Sequence, residues 1–104
     1  MRFNYFIFEI KPLPFNAHYG KIAGGAASVV VVEEDAKAAL IRAKEHVVKH
    51  RWEIISTDIA FEIDDEKMAT IKYPQDDLKF LFDNAKRLGI SCVYNLGRGG
   101  QFFN

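Results

Sequence analysis

The chain has 104 residues, of which 49% are hydrophobic and 27% charged, and this length and composition predict one folded domain spanning residues 1–104. Its fourteen basic and fourteen acidic side chains cancel, so no overall field attracts nucleic acid or an anionic membrane. No apolar run approaches the ~20 residues of a membrane span, and the start lacks a secretory signal. Because the single Cys92 cannot form a disulfide within the chain, we expect a cytoplasmic protein.

Two strands are predicted in the first third of the chain. Residues 3–11 are aromatic and β-branched, with apolar side chains on both parities, as in a strand that is covered on both faces. Pro12 and Pro14 end this strand. Residues 27–32 contain four consecutive valines, which suit a buried strand and fit a helix poorly.

The remaining elements alternate between helix and strand. Residues 36–50 carry apolar residues at helical spacing after a capping Asp35, and residues 75–88 repeat the pattern before Gly89. The second helix is expected to bury Leu78, Leu81, Phe82, Ala85 and Leu88. Strands are predicted at 52–63, 68–73 and 90–94, and the glycine-rich residues 95–104 form a tail.

One face of the 52–63 strand is expected to be buried. Four apolar residues share one parity with Thr57, and the other parity carries Ser56, Asp58 and Glu62. The residues of the expected buried face are Ile55, Thr57, Ile59, Phe61 and Ile63.

From residue 27 onward the predicted order is strand, helix, strand, strand, helix, strand. This βαββαβ order resembles that of ferredoxin-like domains, with an additional N-terminal strand. The resemblance implies an α+β, two-layer sandwich. It rests on element order alone, so it assigns no functional residues.

The segment HYGKIAGGAAS, residues 18–28, is the most distinctive loop of the sequence. Its glycines match half of a phosphate-binding loop, but Ala26 and Ala27 stand where that motif needs lysine and a hydroxyl. The loop also leads into a strand, whereas a phosphate loop leads into a helix. We therefore predict a mobile connection between strands, with Lys21, Gly24 and Gly25 as its contact residues for a ligand or partner.

Two further groups of side chains contain residue types that can bind metal ions. His46 and His50 have the spacing of a helical metal pair, but Val47 replaces the glutamate of the zinc-protease motif and no cysteine is near in sequence. A third ligand would have to be His18 or a carboxylate brought in by the fold. Glu62 and the acidic residues 64–66 suit a solvated turn. The sequence therefore predicts no metal site and no cofactor.

The aromatic first strand resembles the base-stacking strands of RNA-binding domains through Tyr5, Phe6 and Phe8. The basic aromatic octapeptide of those domains is absent, so no nucleic acid is expected as a partner. Cys92, in the last predicted strand, is expected to be a small buried residue rather than a nucleophile.

Several apolar residues lie outside the predicted core and form a candidate interface: Ile41, Val48, Phe80, Phe102 and Phe103. They favour a small non-enzymatic interaction or regulatory protein that forms a homodimer. The alternative is a small enzyme or small-molecule-binding protein of the dimeric ferredoxin-like α+β barrel kind. Its candidate residues, placed around a cavity, are His18, Tyr19, His50 and Asp58.

Overall fold

The computed structural model describes residues 2–64, 76–96 and 102–103. These residues form two helices and five strands. In chain order they are β1 (Arg2–Pro12), β2 (Gly25–Val32), α1 (Ala36–Lys49), β3 (Trp52–Asp64), α2 (Asp76–Leu88), β4 (Ile90–Asn95) and β5 (Phe102–Phe103). The strand predicted at 68–73 lies outside the described residues, as does most of the predicted tail.

The strands form one antiparallel sheet in the order β3-β1-β2-β4-β5. The N-terminal strand β1 is therefore central, with β2 on one side and β3 on the other. Phe6 marks this position, because it pairs with Val29 of β2 and with Ala60 of β3. The apolar residues on both parities of β1 and β2 agree with strands inside a sheet.

The two helices lie on opposite faces of this sheet. Helix α1 buries Ala39, Ala43 and Val47 in the core that contains Phe6, Phe8, Val29 and Val31. Helix α2 buries Leu81, Phe82 and Ala85 in the core that contains Phe3, Val30 and Val93.

The α+β class is thus as predicted, but the ferredoxin-like two-layer order is wrong, because the chain forms three layers. The valines of β2 show why. Val29, Val30 and Val31 are consecutive and all fully buried, so both faces of the strand need cover.

The expected buried face of β3 is also wrong for most of its length. Of the apolar residues expected on this face, only Ile63 is buried, while Ile55, Ile59 and Phe61 are 47%, 41% and 45% exposed. Helix α2 contacts β2 and β4 and so leaves this part of the sheet uncovered. Trp52 and Ile54 lie on the α1 side, and the two irregularities in the β1–β3 register invert the side-chain alternation only between them and Ile59.

Specific residues define the start of α1 and the ends of both helices. The Asp35 carboxylate caps α1 by accepting a hydrogen bond from the Lys37 amide at 3.1 Å. Arg51 follows α1 in a left-handed conformation, φ 70°, and Gly89 follows α2 with φ 88°. Leu88, expected to be inward, is 65% exposed because it lies in the last turn of α2.

Candidate functional site

Most residues of β3 are exposed, and the strand lies at one end of the sheet. Within residues 2–64, 76–96 and 102–103, β3 pairs only with β1, so its other edge has no strand beside it. The register is regular from Ile59 to Asp64, which pair with Ile7 to Arg2. Unpaired amide and carbonyl groups on such an edge can pair with another strand.

A groove of about 300 Å³ runs between this regular half of β3 and the first half of α1. Ala36 and Leu40 line it from the helix, and Phe6 and Ala60 line it from the sheet. Lys37 stands on the helix side and Glu62 on the strand side. Because Ala60 has only a methyl group, it leaves space beside Leu40 for a side chain from outside. We call this feature the α1–β3 groove.

The opposite side of the same half of β3 is also apolar. The rings of Phe61 and Tyr5 meet edge to face with their centroids 5.2 Å apart, and Tyr5 contacts Phe82 in the same way at 5.9 Å. Phe61 and Ile59 form the exposed rim of this aromatic group. A strand added to β3 would therefore meet apolar surface on both of its faces.

A second cavity, of about 350 Å³, lies at the other end of α1. Leu13, Val48, Trp52 and Ile54 line it, with Lys44 and Glu53 among the lining residues. We call it the Trp52 cavity. Trp52 also belongs to a row of stacked rings that begins with His18 in the loop after β1, at 5.8 Å, and continues to Tyr94 in β4, at 5.4 Å.

The Tyr94 end of this row is buried. Among the described residues its hydroxyl has no hydrogen-bond partner of good geometry, although the Cys92 thiol, a weak hydrogen-bonding group, interacts with it. Burial, and then Cys92, raises the pKa of Tyr94. Burial raises the pKa of the Cys92 thiol to about 12, although the Tyr94 hydroxyl opposes the shift. Both groups stay protonated, as the structural role expected for Cys92 requires.

The helix histidines lie beside each other, as their spacing predicts. The ring centroids of His46 and His50 are 4.5 Å apart, and the His50 Nδ1 is 2.7 Å from the His46 carbonyl oxygen. Burial lowers the pKa of His46, and the neighbouring His50 and Lys49 lower it further. No group of three or more His, Cys, Asp or Glu side chains that could hold a metal is found in the described part of the chain.

The candidates named for an enzyme do not converge on one cavity. His18 and His50 both approach the Trp52–Tyr94 rings, whereas Tyr19 is exposed in the loop. Asp58 lies on β3, about 20 Å along the strand from Trp52, and accepts a hydrogen bond from Ser56 at 2.8 Å. None of these four residues lines the α1–β3 groove or the Trp52 cavity.

The loop between β1 and β2 follows a path of hydrogen-bonded turns. The Tyr19 amide donates to the Asn16 carbonyl and the Lys21 amide to the His18 carbonyl, both at 2.9 Å. Gly24 and Gly25 lack positive φ. A Cβ on Gly24 would instead stand 2.7 Å from the Ile10 carbonyl oxygen, and one on Gly25 would meet the Asn95 carbonyl. Close backbone approach therefore requires these glycines, and Lys21 is exposed.

The expected interface residues of the two helices do not form one patch. Ile41, Val48 and Phe80 are exposed, but the first two lie on α1 and Phe80 lies on α2, across the sheet. Phe102 and Phe103 form β5 beside β4, and Phe103 pairs with Tyr94.

Sequence reasoning missed the α1–β3 groove and the edge of β3. The only signal was compositional, because residues 52–64 contain four acidic residues and no basic residue. Among the described residues, neither helix has the length and apolar character needed to cross a membrane. No protein family, curated protein or solved structure was found to match this chain.

Proposed function

We propose that this chain is a non-enzymatic interaction protein that binds an extended segment of a partner by strand addition to β3. The main observation that supports this proposal is the regular edge from Ile59 to Asp64, which is flanked by the α1–β3 groove on one side and by exposed Phe61 on the other. Main-chain hydrogen bonds to such an edge give affinity, and pockets for alternate side chains give specificity.

The placement of the candidate catalytic residues supports binding over catalysis. A proton-transfer group must reach its substrate, yet His18 contacts Trp52 at the start of β3, Asp58 lies in the middle of that strand, and neither lines a described cavity. Exposed Ile59 and Phe61 instead share one face of β3, beside an edge that no strand of the described residues pairs with. Bulges commonly protect edge strands, and here they fall between Trp52 and Ile59, leaving the other half regular.

Selection of a random peptide display library on the full chain tests this function. Selected peptides are expected to slow hydrogen exchange at amides 59–64. Phe61→Lys should weaken their binding by at least about ten-fold, which corresponds to about 1.4 kcal/mol. Ile41→Lys, a matched change of an exposed apolar residue on α1, should leave the affinity unchanged. A library that yields no binder, or binders unaffected by Phe61→Lys, would contradict the proposal.

The Trp52 cavity supports a second candidate function, the binding of a small apolar ligand. Trp52 is the only tryptophan, so its fluorescence reports directly on an occupant. Lys44 lines this cavity, and because Glu53, which also lines it, is paired with Lys11 at 3.6 Å, Lys44 favours a carboxylate. Benzoate should then change the fluorescence saturably in the wild type and not in Val48→Lys. A response that does not saturate at millimolar benzoate would exclude this candidate.

A further inference from the structure

The charge of β3 restricts which extended segments can pair with it. Residues 52–64 carry Glu53, Asp58, Glu62 and Asp64 and no lysine or arginine. Ion pairs to β1 engage Glu53 through Lys11 and Glu62 through Arg2, both at 3.6 Å and both roughly half exposed. Each carboxylate can accept further hydrogen bonds, so the strand remains an acidic edge.

This charge argues against a second copy of the chain as the occupant. Pairing β3 with β3 of another copy would bring together two strands that each hold four carboxylates and no basic side chain. Like charges on neighbouring strands destabilise pairing, and the apolar contacts of Ile59 and Phe61 would have to offset that repulsion. The homodimer expected from the sequence is therefore disfavoured at this edge.

The regular half of β3 divides its charges and apolar groups between two faces. Ala60, Glu62 and Asp64 share the face of the α1–β3 groove, since Ala60 pairs with Phe6 and Glu62 with Asn4. Ile59 and Phe61 share the other face, beside Tyr5. Successive residues of an added strand would alternate between these two surfaces.

We infer that the partner segment is a basic, β-forming peptide, with apolar residues of both parities at its centre and lysine or arginine at its end beside Glu62 and Asp64. The apolar centre fits the groove lined by Phe6, Leu40 and Ala60 and covers Phe61 on the opposite face. The basic residues complement the carboxylates. This inference rests on the proposed strand addition and specifies its partner.

Three capped synthetic peptides of about eight residues, the length of an ordinary strand, test the inference with the full chain. The first has a Val-Ile centre flanked by lysines, the second has glutamates in place of the lysines, and the third keeps the lysines around a serine centre. We expect the first to bind at least about ten-fold more tightly than either of the others. Nuclear magnetic resonance shifts should appear at amides 36–40 and 59–64.

A charge variant separates the acidic edge from general electrostatic attraction. The double change Glu62→Gln and Asp64→Asn should weaken the lysine peptide by about five-fold, the upper range for exposed ion pairs. Glu45→Gln, on an exposed position of α1 outside the groove, should not. Equal binding of the lysine and glutamate peptides at these amides would overturn the inference and leave strand addition intact.

Three other outcomes bear on the site itself. Absence of shifts at amides 59–64 with all three peptides would overturn the proposed function as well. Cross-strand contacts between residues 65–75 and β3 in the free protein would show that the chain occupies its own edge. Concentration-dependent self-association that Phe61→Lys abolishes would assign the edge to a second copy. Either occupant would overturn the inference.

Discussion

The Asn16 side-chain amide donates a hydrogen bond of 3.0 Å to the Arg51 carbonyl oxygen, 35 residues further along the chain. The same oxygen accepts the Leu13 amide at 2.9 Å. These bonds join the loop after β1 to the end of α1. Asn16→Ala should therefore lower the free energy of unfolding by about 1 kcal/mol. Urea unfolding measures this, and a variant as stable as the wild type would contradict it.

Substitution of Gly24, just before β2, should destabilise the protein, whereas substitution of Lys21 should leave its stability nearly unchanged. A methyl group on Gly24 would press on the Ile10 backbone, so Gly24→Ala should cost about 1–3 kcal/mol. Lys21→Ala changes an exposed side chain and should stay within ~0.5 kcal/mol. Thermal unfolding of both variants checks the contrast, and equal effects would mean that the Gly24 backbone moves freely.

The exposed apolar residues of the two helices should contribute little to folding. Ile41→Ser and Phe80→Ser should each change the free energy of unfolding by under ~0.5 kcal/mol. Phe82→Ala should cost about 3–5 kcal/mol, because its buried ring contacts Phe3 and Tyr5. Chemical denaturation of the three variants tests this, and a large loss in Phe80→Ser would place that ring in the core.

The Cys92 thiol should be unreactive in the folded protein. Its pKa near 12 and its burial keep the nucleophilic thiolate scarce and shielded at pH 8. Ellman's reagent should modify it within minutes in denaturant and negligibly without. Rapid modification under native conditions would show that β4 opens readily or that the thiol reaches solvent.

Stability should fall as the pH drops below the ordinary histidine range. His46 has a lowered pKa in the folded state, so below its unfolded value of 6.5 the unfolded chain binds the proton first. The unfolding free energy is therefore highest above pH 6.5 and declines as the pH falls toward the folded pKa. His46→Gln should flatten this part of the profile measured by urea unfolding between pH 7.5 and 5. An unchanged profile would contradict the assignment.

The secondary structure was largely readable from the sequence, because periodicity and caps are local. Asp35 and Gly89 flank their helices as expected, and Val29, Val30 and Val31 of β2 are buried. The three-layer arrangement could not be predicted from the sequence, because it depends on which face of the sheet each helix packs against. Asn4 illustrates the limit, since its buried amide donates to the Glu33 carbonyl at 2.8 Å from within an aromatic strand.

The candidate site was hidden for the same reason. Ile59 and Phe61 have the spacing of a buried strand face, and only the position of α2 over β2 and β4 leaves them exposed. The partners of His18 were equally non-local, because its ring reaches Trp52 from a separate loop. Spacing within one segment identifies neighbours along the chain and not across the sheet.

The central position of β1 also governs the order in which the protein can fold. The β1–β2 ladder closes over a single loop, whereas the β1–β3 ladder joins residues separated by that hairpin and α1. Closing a larger loop costs more entropy before any contact forms, so ladders between distant segments form slowly. We therefore expect the β1–β2 hairpin, in which Gly24 and Gly25 allow close backbone approach, to be the folding nucleus. Strand β3 should join it late in folding and leave it early in unfolding.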